Sequence, residues 1–335
     1  MTEKSKKILK LLIRVAVTSG LLVWVFRRID VHQLGEAFKA ARWQFFIAVW
    51  ASVVTIYWIN SIKMRLILKE QGCSLDTARI FGVSAVTALY SMVMPGMLSM
   101  GMKWYILRKG TGKGINVFSS MVYNQLSNLV FMMIFGLSVL ILVNPASFIW
   151  PDTEVTYLLP VFCSIFLVIL VLFSLLLLRK KTGDIIIKAI NILLKPFPVG
   201  IRHKVKEILL QITMFQLAGW RFHIVMFLIT IGGTSLGGVI MYIFAAKAAD
   251  VVVPLSTYAW LWAVIFILQR VPISIANLGV REAVLSSVLP IYGVAPSKAV
   301  MMSMVLFSAL VFMAVIGAFF NFCGFMTGVR PNETV

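Results

Sequence analysis

Charged residues are scarce in this 335-residue sequence, where they make up 13% of the chain while hydrophobic residues make up 60%. An ordinary soluble domain carries about a quarter of its residues as charged side chains. Among the charged residues, the acidic ones are the scarcer kind, with 12 Asp and Glu against 31 Lys and Arg. A water-soluble fold could not bury so much apolar surface, so the composition excludes a soluble enzyme and indicates a membrane protein.

Cysteine and histidine are also few, with three of each. Two of the cysteines, Cys163 and Cys323, lie inside apolar runs, and the third is Cys73, so no disulfide framework is predicted. The histidines lack metal-ligand spacing. No nucleophile elbow, metal cluster or dinucleotide fingerprint occurs. The sequence therefore predicts no metal, no cofactor and no enzymatic activity.

Long apolar runs fill most of the chain. Five of them approach or exceed the roughly 20 apolar residues that cross a bilayer. Together with a retained N-terminal helix, they predict an all-α, polytopic transmembrane helix bundle with about six full spans in a single membrane domain, residues 1–335. The five runs are residues 47–62, 118–143, 158–178, 224–246 and 300–325.

The basic residues cluster beside these runs, so the net charge of +19 indicates membrane topology rather than nucleic-acid binding. Lysines precede the first span and eight basic residues follow residue 178, whereas residues 144–156 carry two acids and no base. This predicts a cytoplasmic N-terminus and a cytoplasmic segment at residues 179–221, whose polar stripe is typical of a helix in the membrane interface. The loop at residues 27–42, with four basic residues, disagrees with this scheme.

Two further apolar segments, residues 80–107 and 255–290, are interrupted by proline and glycine. Each is predicted to form two half-helices that meet at membrane depth, because proline removes a backbone donor and glycine loosens a helix. Beyond the proline, both carry a glycine, one apolar residue and a base, which indicates a weak internal repeat. Counting spans places their starts on opposite sides, so the copies are inverted. The break residues are Pro95, Gly96, Gly101, Pro272 and Gly279.

Charged and amide side chains lie in or beside these breaks, where transporters with inverted repeats bind their substrates. Lys103 and Arg281, equivalent in the repeat, are predicted to bind the phosphate of a lipid headgroup in a wet cavity, with Arg270 and Asn277 as further substrate ligands. The alternative is that Arg281 pairs with Glu282 or a carbonyl and that Lys103 reaches the cytoplasmic surface. Glu282 is a candidate counter-ion or proton-coupling carboxylate.

Amides also occupy the span after the first break. Asn124 and Asn128 lie one helical turn apart and are predicted to face the bundle, either lining a substrate path or bonding neighbouring helices. The glycine-rich stretch at residues 232–238 has neither the preceding strand nor the following lysine of a phosphate loop. It predicts close helix contact.

Three motifs resemble the lysylphosphatidylglycerol synthase transmembrane-region family, whose members are also described as flippase-like integral membrane proteins. They are IKMRLILKEQG, MPGMLSMGMKWYILRKGTGK and VPISIANLGVREAVL, and the resemblance covers nearly the whole chain. The family's Pro-Gly then Gly-x-basic motif and its Gly-x-Arg-Glu motif match Pro95, Gly96, Gly101 and Lys103, and Gly279, Arg281 and Glu282.

The resemblance implies a lipid translocator in a bacterial cytoplasmic membrane. Fused members make aminoacylated phosphatidylglycerol in a soluble domain and flip it with the membrane domain, but no soluble transferase is expected here. Many relatives carry a Glu-Arg pair in the next span, where this chain has Asn124, Gln125 and Asn128. That departure leaves the substrate open between an anionic phospholipid and a polyprenyl-phosphate-linked saccharide.

Three functions remain to be distinguished. The leading hypothesis is flippase-like translocation of an anionic lipid or lipid-linked saccharide through a basic cavity between the inverted repeats. The second is an intramembrane lipid-phosphate transferase, for which Glu282 is the one candidate base. The third is a non-catalytic membrane subunit that recruits envelope-biosynthesis enzymes through residues 179–216.

Overall fold

The computed structural model describes residues 41–93, 96–149, 155–177, 213–269 and 279–322. Within these ranges the regular structure is entirely helical, which confirms the all-α prediction. The helices are α1 Gln44–Glu70, α2 Thr77–Val93, α3 Gly96–Thr111, α4 Gly114–Val143, α5 Ala146–Ile149, α6 Val155–Leu177, α7 Gly219–Ala248, α8 Leu255–Leu268, α9 Val280–Val288, a 3₁₀ turn Leu289–Tyr292 and α10 Pro296–Phe322.

Five of the described helices, α1, α4, α6, α7 and α10, are long and apolar enough to cross a membrane, which confirms a polytopic bundle. Helix α1 is longer than the span predicted at residues 47–62, because the helix continues through Lys63 to Glu70. Its 27 residues measure roughly 40 Å at 1.5 Å per residue. The predicted N-terminal helix lies outside the described residues, and so does most of the interfacial segment, residues 179–212.

The two ends of α1 mark opposite ends of the molecule. Ahead of α1, the Arg42 amide donates to the Ala248 carbonyl at 3.2 Å, and Asp250 accepts from Lys298 Nζ at 2.8 Å. We call this the Asp250 end. Beyond α1, Lys113 Nζ donates to the Gly72 carbonyl at 3.0 Å, and Asn116 Nδ2 donates to the Gln71 carbonyl at 3.1 Å. We call this the Gln71 end.

At each predicted break, the helix before the break starts at one end of the molecule and the helix after the break leads back to that same end. Helix α2 begins beyond the loop at residues 71–76, and α3 ends at Thr111, just ahead of Lys113 at the Gln71 end. Helix α8 begins at the Asp250 end, and α9 leads back through the 3₁₀ turn to α10, whose Lys298 contacts Asp250. The two pairs thus open at opposite ends, the arrangement expected of an inverted repeat. Residues 94–95 and 270–278, which join them, lie outside the described residues.

Close helix contact depends on glycines, as the sequence predicts for residues 232–238. A side-chain carbon at Gly233 or Gly238 would overlap Ile59 or the Trp262 ring. Gly317 of α10 lies against the Ala85 backbone of α2, where a Cβ would overlap the carbonyl. Small residues let membrane helices approach closely and gain dispersion contacts, and these glycines bring α7 and α10 against their neighbours.

Candidate functional site

Lys63 lies in the second half of α1 and is fully buried, with 0% of its surface exposed. Its ammonium donates to Asn128 Oδ1 at 2.6 Å, to Thr230 Oγ1 at 2.8 Å and to Ser127 Oγ at 3.2 Å. An ammonium has three donor hydrogens, so these three oxygens satisfy it. The Phe131 ring lies 5.6 Å from Nζ and adds a weak cation–π attraction. We call these five residues the Lys63 site.

The charge of Lys63 is not neutralised by a carboxylate among the described residues, whose ion pairs all lie elsewhere. Placing a lysine at the centre of a membrane helix costs about 2.5 to 3.5 kcal/mol on insertion scales. Hydrogen bonds to neutral oxygens offset part of that cost but leave the positive charge uncompensated. The Lys63 site is therefore suited to attract an anion.

Neighbouring backbone carbonyls orient the hydroxyls of this site. Thr230 Oγ1 donates to the Met226 carbonyl at 2.7 Å, and Ser127 Oγ donates to the Asn124 carbonyl at 3.1 Å. Because each hydroxyl hydrogen is used in this way, both oxygens present lone pairs to Lys63. Thr230 is also the first residue of a wide π-helical turn, Thr230–Leu236, and such turns are frequent at functional sites.

A row of polar side chains runs along α4 from the Gln71 end to Lys63. Spacings of three and four residues place its members on one helix face. Two of its atoms, Ser120 Oγ and Asn124 Oδ1, are buried and have no hydrogen-bond partner within the described part of the chain. We call this row the α4 polar stripe; its residues are Asn116, Ser120, Asn124, Ser127 and Asn128.

Tyr123 and His223 bridge α4 and α7 on the Gln71 side of the Lys63 site. Since a carbonyl only accepts, His223 Nε2 donates to the Phe215 carbonyl at 3.0 Å. Nδ1 of the neutral ring then accepts from the Tyr123 hydroxyl at 2.8 Å. Ile67 and Met226, both 0% exposed, pack with Phe215 beside this pair. These contacts close the α1–α4–α7 interface toward the Gln71 end.

A second buried ionic group lies at the start of α9. Arg281 donates from Nη2 to Glu282 Oε1 at 2.8 Å and from Nε to Ser303 Oγ at 2.7 Å. Ser303 Oγ in turn donates to Glu282 Oε1 at 2.7 Å, and Glu282 Oε2 accepts from the Gly279 amide at 2.8 Å. Arg281 and Glu282 are 5% and 8% exposed. This closed network ties α9 to α10 and neutralises its own charge.

The structure separates the predicted site residues. Arg281 forms the pair with Glu282 that the sequence leaves as the alternative to phosphate binding. Lys103 is partly buried in α3 and forms no hydrogen bond or ion pair with the described residues. Asn128 is part of the Lys63 site, and Asn124 lies one turn away on the stripe. Arg270 and Asn277 lie outside the described residues.

The predicted break residues also differ in their roles. Gly279 has a φ of +90°, which L side chains rarely adopt, and directly precedes α9. Gly96 begins α3. Gly101 lies inside α3 and does not interrupt it, so its assignment as a break is corrected: the helix accommodates glycine there in ordinary α geometry. Pro95 and Pro272 lie outside the described residues.

Lys63 was not predicted from the sequence as a site residue, although it lies within the motif IKMRLILKEQG. By hydropathy, the span predicted at residues 47–62 ends at Ile62, because a basic residue follows. Two signals argue against that boundary: the residues from Met64 to Leu68 are again apolar except for Arg65, and Asn60 and Ile67 share the helix face of Lys63 at spacings of three and four. A lysine that an apolar helix continues beyond is a candidate functional residue.

The fold and these buried charges define an all-helical polytopic membrane protein with ionic groups inside its bundle. The chain belongs to the lysylphosphatidylglycerol synthase TM region family, which matches residues 11–318. Comparison with curated proteins and with solved structures found no match. Membership in this family associates the protein with lipid-related processes in the membrane.

Proposed function

We propose that the protein translocates an anionic lipid or lipid-linked saccharide across a bacterial cytoplasmic membrane. The observation that carries the proposal is the buried ammonium of Lys63, which neutral oxygens alone surround within the described residues. A protein that only needed to pack its helices would gain nothing from this uncompensated charge, because apolar packing avoids its insertion cost. An anionic headgroup that moves through the protein would be attracted by the positive charge of Lys63.

The arrangement of the helix pairs supports the same proposal. The α2–α3 pair opens at the Gln71 end and the α8–α9 pair at the Asp250 end, so each end of the molecule has its own interruption in the bundle. Alternating access in transporters uses repeats of this kind, which open a central site to one side at a time. The Lys63 site lies on α1, α4 and α7, between the two ends.

The proposal also accounts for the separate Arg281–Glu282 group. Its charges cancel, so it would anchor α9 to α10 rather than attract an anion. Lys103, which lacks a partner among the described residues, remains a candidate for contacting the headgroup as it enters or leaves. The lipid itself is a phospholipid or a polyprenyl-phosphate-linked saccharide, since both present a phosphate.

Leaflet-resolved transport tests the proposal. The purified protein is placed in liposomes with fluorescent phosphatidylglycerol or a labelled polyprenyl-phosphate saccharide, and quenching from outside measures movement between leaflets. We expect movement of at least one anionic probe, a strong reduction in Lys63→Met and a smaller one in Lys103→Met. Lys247→Met is the control because Lys247 is an exposed lysine at the Asp250 end.

Failure of every probe to move in liposomes that contain folded wild-type protein would contradict translocation. Co-purification of a stoichiometric soluble enzyme would then favour the subunit hypothesis, and a covalently altered lipid would favour a transferase.

A further inference from the structure

We infer that the α4 polar stripe and Lys63 together form the binding site for a phosphodiester headgroup that carries hydroxyl groups. This inference rests on the proposed function and assigns its substrate site. It uses two observations that translocation alone does not explain: the unpartnered polar atoms of Ser120 and Asn124, and their position on the helix face that leads to Lys63.

Two buried polar atoms of the α4 polar stripe have no hydrogen-bond partner among the described residues. Folded proteins satisfy nearly all such atoms, so an exception calls for an explanation such as a bound water or ligand. Ser120 is 0% exposed, so bulk solvent does not satisfy its hydroxyl. Asn124 Oδ1 lies one turn closer to Lys63 and is an acceptor, so it needs a donor from whatever occupies the stripe.

The spacing of Asn124 and Asn128 along α4 suits a headgroup that extends beyond its phosphate. Residues four apart on a helix have Cβ atoms about 5 to 6 Å apart. Asn124 is four residues before Asn128, whose Oδ1 holds Lys63 Nζ at 2.6 Å. A headgroup with its phosphate at Lys63 would therefore place the next group of atoms, a glycerol or a sugar, beside Asn124. The hydroxyls of such a group donate to Asn124 Oδ1, which a simple alkyl phosphodiester cannot do.

The α4 polar stripe leads from the Gln71 end to Lys63. Asn116, its first member, donates to the Gln71 carbonyl, so the stripe begins at the Gln71 end. Phe215, Ile67 and Met226 cover the α1–α4–α7 interface on this side. The headgroup would reach Lys63 along α4 from the Gln71 end when these side chains separate, while its acyl or prenyl chains stay in lipid.

Equilibrium binding tests the inference independently of transport. Unlabelled lipids displace a fluorescent phosphatidylglycerol from the purified full-length protein in detergent. The two matched competitors are phosphatidylglycerol and phosphatidylmethanol, which share the phosphodiester and its charge, whereas phosphatidylmethanol lacks headgroup hydroxyls. We expect wild-type protein to prefer phosphatidylglycerol by about 3- to 10-fold, the range of one net hydrogen bond.

Two variants separate the contributions of the site. Asn124→Leu should lower the affinity for phosphatidylglycerol to that for phosphatidylmethanol, and it should fold because no described side-chain bond is lost. Lys63→Met should weaken both lipids by about 10- to 100-fold, since a phosphate oxygen would replace one of the three neutral acceptors of the ammonium and the variant removes that charged hydrogen bond. Lys247→Met should change neither affinity. The Asn124→Leu result decides the inference even where Lys63→Met fails to fold.

Equal affinity of wild-type protein for the two lipids, or an unchanged preference in Asn124→Leu, would overturn the inference and indicate that the stripe holds water. Soluble glycerophosphoglycerol distinguishes a lipid from a free phosphate ester. Displacement by it at the same concentration as phosphatidylglycerol would overturn the lipid assignment. Lipid movement in liposomes without the predicted preference would reject this site alone, whereas the predicted preference without any movement would reject translocation alone.

Discussion

At the residue scale, Lys63 and Arg281 are both buried but differ in how their charge is balanced. Arg281 faces a carboxylate at 2.8 Å, whereas Lys63 meets neutral oxygens. Removing one partner from a buried pair leaves the other charge without compensation, whereas replacing both restores neutrality. Loss of activity in an Arg281 variant would therefore report misfolding as readily as a lost substrate contact, so the pair is best tested through stability.

Arg281→Met should destabilise the protein by about 3 to 5 kcal/mol, because it leaves the Glu282 carboxylate buried and unpaired. The double variant Arg281→Met/Glu282→Gln should recover much of that loss. Denaturant titration in detergent of the wild type, both single variants and the double variant measures the coupling. Additive losses would show that the two side chains do not interact in the folded protein.

Asp250 makes a pH-dependent contribution to the stability of the folded protein at the Asp250 end. The hydrogen bond and charge of Lys298, together with Arg42, hold the pKa of Asp250 below its usual value. A carboxylate with a lower pKa in the folded state stabilises it above the unfolded pKa, and the effect disappears as pH falls through the folded pKa. Wild-type protein should therefore melt at a higher temperature than Asp250→Asn at pH 7.

That difference in melting temperature should shrink as the pH falls below about 4, the usual pKa of an aspartate. Asparagine also tolerates the positive φ of +52° at this position, so the backbone is not a confounding factor. Asp76→Asn is the control, since Asp76 is exposed and belongs to no ion pair among the described residues. A difference that does not change with pH would contradict the role of the carboxylate.

The sequence predicted part of the candidate site. Amides one turn apart inside a span are expected to face the bundle, and both Asn124 and Asn128 lie on the α4 polar stripe. Lys63 was missed because a basic residue at the end of an apolar run is usually taken to mark the membrane surface. The tertiary contacts with α4 and α7 show that this lysine is inside the bundle. Substrate binding by these residues stays a prediction.

At the element scale, the helices that cross the membrane follow from apolar length alone. The sequence predicted the bounds of four of the five described spans to within a few residues, and α1 is the exception. The short helices α2, α3, α8 and α9 follow instead from proline and glycine. Hydropathy does not show that two such helices lie side by side and return to one end, because that depends on contacts between distant loops such as Asp250 with Lys298.

Gly317→Ala should destabilise the contact between α2 and α10 by about 1 to 3 kcal/mol, the usual cost of overpacking. A methyl group there would overlap the Ala85 backbone, which cannot rotate away as a flexible side chain can. Gly232→Ala is the matched control, because a methyl group at that position in the wide turn would meet no atom within 4 Å. Thermal unfolding of both variants in detergent measures the effect, and equal stability of the two would contradict the packing argument.

At the scale of the whole molecule, the basic residues that the structure describes are distributed unequally between the two ends. Such asymmetry orients membrane proteins, with the more basic side in the cytoplasm. The Asp250 end carries Arg42, Lys247 and Lys298 with the acid Asp250. The Gln71 end carries Arg65, Lys69, Arg79, Arg108, Lys109, Lys113 and Arg221 with the acids Glu70 and Asp76.

We therefore expect the Gln71 end to face the cytoplasm, in agreement with the cytoplasmic N-terminus that the sequence predicts. Single cysteines at exposed positions test this in a background that lacks Cys73, Cys163 and Cys323. A membrane-impermeant maleimide added to intact cells should modify Val252→Cys at the Asp250 end and should modify Ser74→Cys only after permeabilisation. The opposite labelling pattern would reverse the orientation.

The wide turn at Thr230–Leu236 lies within α7. Thr230, which belongs to the Lys63 site, is its first residue, and Gly238, which contacts Trp262, lies just beyond its end. A regular α-helix turns by about 100° per residue, and a wide turn contains one extra residue. The side chains of α7 on the two sides of the wide turn therefore differ in direction by about that angle from those of an unbroken α-helix. Moving the wide turn along α7 would rotate only the residues it passes, while both ends of the helix stay where they are. Hydrogen-bond partners could thus be exchanged within the bilayer without any helix having to slide, tilt or unfold.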